Sequence, residues 1–222
     1  MSLKRLTTFL LICAVLPLGI TYGACASKPY TLHYEVKMQS EAFGDMGTRK
    51  LWIKGSDMRW EADSADLPLK IIKNDRGVFL IHPWNKIAAE YPEGSPRGNP
   101  TALLPGPTGS PKVFLEKVKA AKRGQETVEK QLCDVYTYTE PTTKRDCKIW
   151  VSAKTKKPVK LRMAGEPGKV DTVTAVYTKY VEGAKVDDSL FKLPEGYKIR
   201  PMPTDKKASH SKTKQPNSGK SG

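Results

Sequence analysis

The sequence predicts a mainly β protein built on a curved antiparallel sheet around an apolar cavity, with one convincing helix. Three observations carry this. Short stretches of alternating apolar and polar residues follow one another with tight turns between them, as in Tyr30 to Met38, Thr48 to Lys54 and Met58 to Ala62. Helical periodicity is confined to one segment, Lys112 to Arg123. Apolar residues also fall on both faces of several strands, and such faces need cover.

Tyr30, Leu32, Tyr34, Val36 and Met38 share one side of the first strand. In the second, Leu51 and Ile53 lie opposite Trp52, and Gly55-Ser56-Asp57 turns the chain into the third. Leu67 to Lys73 and Val78 to His82 are joined by Asn74-Asp75-Arg76-Gly77, whose Asp and Gly suit a hairpin turn. Lys86 to Tyr91 closes this first meander. From Pro92 to Pro111 the density of Pro and Gly excludes a continuous strand, and the apolar island Ala102-Leu103-Leu104 marks the segment as a binding loop or lid. Pro111 then suits a first helical turn, with Phe114, Val118 and Ala121 on one face and Gly124 as the stop. Strands resume at Gln125, with hairpins over Leu132–Thr139 and Asp146–Ala153 and over Val159–Met163 and Val170–Val181.

On the later strands Tyr136 and Tyr138 alternate with Val135, and Trp150 with Ile149 and Val151. One helix and one Leu-bearing lid are little cover for so many strands. A curved sheet enclosing a ligand cavity solves this; a fully packed barrel is the alternative.

Lys4 and Arg5 precede an apolar run from Leu6 to Ile20, and Ala24-Cys25-Ala26 supplies small residues. Residues 1–26 are therefore expected to form a signal peptide, cleaved near Ala26, that takes the chain out of the cytoplasm. Lipid anchoring at Cys25 is the alternative, although Tyr22 stands where that cleavage box favours Leu; a retained N-terminal helix is a third option. About 196 residues then remain of the 222, enough for one domain over 27–200 and a tail over 201–222. The formal charge is +15, and removing Lys4 and Arg5 leaves about +13, which suits an anionic partner. Lys206, Lys207, Lys212, Lys214 and Lys220 sit in a tail too polar to bury, expected to be disordered. It serves as a solvated extension or as a hold on the anionic membrane surface.

Cys133 and Cys147 remain after processing, and an even pair in an exported chain reads as a disulfide. A hairpin axis near residue 140 would bring them face to face. A metal site would need further ligands, and His33, His82 and His210 are scattered. No Gly-x-Ser-x-Gly, His-Glu-x-x-His or phosphate loop occurs, and Asp187-Asp188 with Ser189 reads as a turn cap. No enzyme, no cofactor and no nucleic-acid partner is expected, and the chain is expected to be a monomer.

Arg59-Trp60-Glu61, the Asp75-Arg76-Gly77 turn, Asn99-Pro100-Thr101-Ala102-Leu103-Leu104 and the ending Ser189-Leu190-Phe191 before Pro194-Glu195-Gly196 occur in the order of a known family. Together they span most of Tyr30 to Ile199, and the chain resembles the periplasmic carrier of outer-membrane lipoproteins, the LolA-like superfamily. That resemblance implies a half-open barrel closed by one to three short helices over a cavity for the acyl chain of a lipoprotein or a free lipid. It also makes Arg59 a latch on the lid and places Trp60, Leu103, Leu104, Phe114 and Val118 at the cavity or its cover. Arg59 on a solvated strand face is the other reading.

Overall fold

Alternation of small steps in sequence becomes a single sheet of twelve strands in the computed structural model, which describes residues 28–63, 69–92, 95, 106–141, 143–165 and 171–202. The first meander comprises β1 (Thr31–Ser40), β2 (Gly44–Lys54), β3 (Asp57–Asp63), β4 (Leu69–Asn74), β5 (Gly77–His82) and β6 (Ile87–Glu90). After helix α1 (Pro111–Lys117) come β7 (Ala121–Val128), β8 (Gln131–Thr139), β9 (Asp146–Ser152), β10 (Pro158–Met163) and β11 (Val173–Glu182). A 3₁₀ turn (Asp188–Phe191) and β12 (Lys198–Pro201) complete the described chain.

The strand order is β12-β6-β5-β4-β3-β2-β1-β11-β10-β9-β8-β7, so β1 and β11 join the two meanders at the centre and β12 and β7 are open edges. One pairing departs from the antiparallel expectation. β12 runs parallel to β6, with Ile199 beside Ala88, because the closing segment crosses the sheet before pairing. Just past this strand, Met202 donates its N–H to the Glu90 carbonyl at 2.8 Å. Register shifts interrupt the ladders at Glu35/Val36, Lys37/Gln39, Lys122/Gly124 and Pro158/Lys160. Each such irregularity bends a strand and adds twist, which curls the sheet.

One face, the inner face, carries the principal core: Leu32, Tyr34, Val36 and Met38 of β1, Leu51 and Ile53 of β2, Met58 and Trp60 of β3, continuing to Ile149 and Leu161. Several of these are fully buried, each stabilising by roughly 1.5–3 kcal/mol. Phe114, Leu115 and Val118 pack onto this face from α1. The outer face has two smaller cores. Ile72, Phe79, Ile81 and Ala88 are covered by Leu193 and Tyr197 of the closing segment, while Cys133, Val135, Trp150 and Val159 pack together at the other end. Apolar residues on both faces thus find cover on both.

The helix is shorter than the Lys112–Arg123 span its periodicity predicts. The Val118 N–H donates to the Phe114 carbonyl and the Lys119 N–H to the Glu116 carbonyl, and Lys119 takes φ +52°, reversing the chain. From Ala121 the backbone pairs with β8 instead, and Gly124, expected as a helix stop, sits at the β7 bulge with φ +133°. The ladder supplies these residues with partners that a further helical turn would not share with the sheet. Segment 106–110 is tied down at Gly106, where φ is +87° and a Cβ would lie 2.2 Å from the Tyr177 hydroxyl. Only glycine fits there.

The expected signal peptide, Cys25, the lid residues Leu103 and Leu104, and the lysine-rich tail lie outside the described residues.

Candidate functional site

Strand alternation sends Arg59 and Trp60 to opposite faces of β3. Trp60 is 4% exposed in the inner core. Cross-strand pairing puts it in one row: Tyr180, Tyr34, Leu51, Trp60, Ile71 and Leu80. At one end of this row Tyr34 stacks with Tyr180 at 6.0 Å between ring centroids, and Tyr177 meets Tyr34 edge-on at 5.6 Å. The Tyr180 hydroxyl donates to the Gly109 carbonyl, tying the segment before α1 to the sheet. Burial raises the hydroxyl pKa of Tyr34, Tyr177 and Tyr180, so all three stay neutral. Two polar atoms in the row, the Trp60 indole Nε1 and the Tyr34 hydroxyl, are buried without a hydrogen-bond partner among the described residues.

Arg59 lies on the outer face. Its Nε donates to Glu61 Oε1 at 2.8 Å, its Nη2 to the same oxygen at 2.5 Å, and its Nη1 to the Leu190 carbonyl at 2.9 Å. Lys70 joins Glu61 at 3.2 Å, and the guanidinium sits 5.9 Å from the Trp52 ring centre. Burial pushes the Glu61 carboxyl up, but hydrogen bonds and charge from Arg59 and Lys70 outweigh it and hold the pKa below its usual value. Arg59 therefore fastens the 3₁₀ turn near the C-terminus, across the sheet from α1. The expected hold on segment 99–104 lies outside the described residues; among those described, the partners of Arg59 are Glu61 and the Leu190 carbonyl.

Phe114 and Val118 meet the inner core from α1, and Phe114 contacts the Tyr138 ring edge-to-face at 5.4 Å. Aromatic pairs in that geometry contribute roughly 0.5–1.5 kcal/mol beyond burial.

The expected disulfide is not formed; Cys133 and Cys147 are free and buried. The turn between β8 and β9 is centred beyond Glu140-Pro141, so Tyr138 pairs with Cys147 and Cys133 with Ser152. Cys133 shares the outer core with Val135 and Trp150, whereas Cys147 belongs to the inner core. Side chains on opposite faces of one sheet cannot reach disulfide geometry. Burial raises the pKa of both thiols, Cys147 to about 11.

Two clefts open among the described residues. One, of about 670 Å³, is lined by Lys119, Arg123, Lys148 and Arg162 with Asp146 and Cys147. A second, of about 320 Å³, lies beside Glu61, Lys70, Pro194 and Tyr197. α1 packs Phe114 and Leu115 against the inner apolar face, with Val118 beside them. No group of three or more His, Cys, Asp or Glu that could hold a metal occurs among the described residues.

Sequence reading missed the Tyr34–Tyr177–Tyr180 cluster and an arginine, Arg49, at an inward position of β2. Arg49 shares parity with Leu51 and Ile53, so the signal was present: a charge where the alternation calls for an apolar residue.

No protein-family model matches the chain, and no curated protein matches it. Among solved structures it is similar to an uncharacterized conserved protein from Thermus thermophilus, at 9% identity, covering 80% of this chain and 92% of that one with a TM-score of 0.51. It is also similar to a chain of the Pseudomonas aeruginosa MucA/MucB complex, at 11% identity over 73% of this chain and 55% of that one, TM-score 0.40. A LolA superfamily protein from Nitrosomonas europaea matches at 10% identity over 75% and 91%, TM-score 0.35. The Thermus likeness is one of fold alone.

Proposed function

We propose that the chain is a periplasmic, non-enzymatic protein that binds the acyl chain of a lipid or lipoprotein against its inner face. One observation carries this reading. A continuous apolar surface reaches across the sheet from Ile71 on β4 to Ile149 on β9, the seven-residue α1 packs against it, and two buried polar atoms within it lack a hydrogen-bond partner among the described residues. A surface built only for stability would satisfy those atoms, since each unmade bond costs about 1–3 kcal/mol. A short amphipathic cover over a broad apolar face is replaceable by another apolar body, and an acyl chain gains about 0.8 kcal/mol per methylene buried. The leader-like residues 1–26 support export, the carrier-like residues support the ligand class, and the domain is taken as 27–200 followed by a basic tail.

Native mass spectrometry of protein purified from its host is expected to show bound lipid, and fatty acid is expected to displace an apolar dye. A clean apo mass together with no displacement sinks the proposal. A second reading rests on the 670 Å³ cleft, where Lys119, Arg123, Lys148 and Arg162 surround Asp146. It makes the protein an envelope component contacting anionic membrane or polysaccharide. Salt-sensitive binding to such surfaces, without any inner-face ligand, favours that reading.

A further inference from the structure

Arg49 stands opposite Val36 of β1 and Ala62 of β3, both residues of the inner core. Directly opposed residues of antiparallel strands share a face, so Arg49 belongs to the apolar side. It is half-buried there. No carboxylate lies within ion-pair distance among the described residues, and the hydrogen bond its guanidinium makes goes to the carbonyl of its own neighbour, Thr48, at 3.4 Å. Asp63 influences its charge from the adjacent outward position but forms no contact pair with it. Burial holds the guanidinium pKa below its usual value, the mark of a cation only partly compensated.

Trp60, one strand over, pairs with Leu51 while Ala62 pairs with Arg49, so Trp60 and Arg49 are diagonal neighbours roughly 7–8 Å apart at their backbones. The indole N–H of Trp60 is buried without an acceptor among the described residues. On the other side of Leu51, the Tyr34 hydroxyl is equally unpartnered. Three groups able to donate therefore occupy neighbouring register positions around one short piece of β2, and no carboxylate pairs with them among the described residues. A fork of guanidinium N–H groups beside an indole N–H is matched by an oxyanion, which accepts and never donates.

We infer that the inner-face ligand is an anionic amphiphile, whose carboxylate or phosphate is received by Arg49 and Trp60 and whose chain lies against the apolar residues of the same face. This rests on the acyl-binding reading above and adds the head-group chemistry to it. The same oxyanion could come from a lipid head or from a free anion; the apolar surroundings of Arg49 favour the former, because a free anion would meet Val36 and Ala62 without solvation.

Displacement of an apolar dye from the whole protein tests this, using palmitate and its uncharged glycerol monoester, on the natural chain and on Arg49→Gln and Trp60→Phe. Palmitate should bind at least about tenfold tighter than the monoester, the scale of one charge-assisted hydrogen bond. Arg49→Gln should abolish that preference and leave the monoester unchanged, and Trp60→Phe, which keeps the ring, should reduce it several-fold. Equal affinities for both amphiphiles in the natural chain, or parallel losses for both in Arg49→Gln, would overturn the head-group assignment while leaving acyl binding standing. If neither amphiphile displaces the dye, both readings fall. Acetate and inorganic phosphate should leave the dye bound; displacement by either would mark a small-anion site and overturn the amphiphile. Should Arg49→Gln not fold, the natural-chain comparison and Trp60→Phe decide the matter.

Discussion

Arg59 on β3 donates to the backbone carbonyl of Leu190 at 2.9 Å, although 131 residues separate them. One strand along, the Asn74 amide donates to the Phe191 carbonyl, also at 2.9 Å. The last carbonyls of a helical turn have no partner within the turn. Two side chains of the first meander provide them here, which presses Phe191, Leu193 and Tyr197 onto the outer face.

Arg59→Met should therefore lower stability by about 1.5–3 kcal/mol, since it removes a charged donor and leaves Glu61 with Lys70 alone. The urea midpoint reads this. Ligand affinity should stay unchanged, because Arg59 faces away from the inner surface. Weakened ligand binding at unchanged stability would return the arginine to a role at the lid.

Phe114→Ala should strip the main aromatic contact of α1 with Tyr138. Phe114 is only partly buried, so the loss should fall at roughly 1–2 kcal/mol, below the range for a fully buried Phe. Binding of an apolar dye should rise as the inner face becomes accessible. Unchanged dye binding would mean that α1 is no cover.

Cys133 and Cys147 should be recovered as separate alkylated peptides when the protein is unfolded without reductant. In the folded state both should react slowly, since burial keeps the thiols protonated and shielded. A peptide linked through Cys133 and Cys147 would require a different β8–β9 register and would contradict the fold in that half.

Acid should destabilise the protein in two stages. Burial, and then the charge of Lys179, lower the His33 pKa below its usual 6.5 despite Glu35 at 3.2 Å. Below pH 6.5 the unfolded chain thus binds a proton that the folded one resists, and stability falls until the lowered folded value is passed. Glu61 is likewise held below 4.5, so its contribution is present above that pH and lost as pH falls through the folded value. Urea midpoints between pH 8 and 3 should show both declines, and His33→Gln should flatten the first. A midpoint constant from pH 7 to 5 in the natural chain would contradict the His33 assignment.

The residues themselves determined most of the secondary structure. Alternation in Leu32, Tyr34, Val36 and Met38 could only bury one face of a strand, and Asn74-Asp75-Arg76-Gly77 could only turn the chain back. Asp187 caps the turn that Asp187-Asp188-Ser189 announces, accepting from the Ser189 N–H at 2.8 Å. These are local effects, set by bond geometry and by neighbours within a few positions. Long-range outcomes were decided only by the folded chain. The length of α1 depended on competition with β8, a partner still to come in the sequence. The fate of the two cysteines depended on a shift in where one hairpin turns, which changes their pairing and reveals them on opposite faces. Most consequential is β3: its parity was legible, separating Arg59 from Trp60, but which side would be covered by α1 and which by the C-terminal turn was not. That choice follows from the crossing of distant segments over a curled sheet, and it alone put Trp60, with Arg49, on the face that α1 packs against.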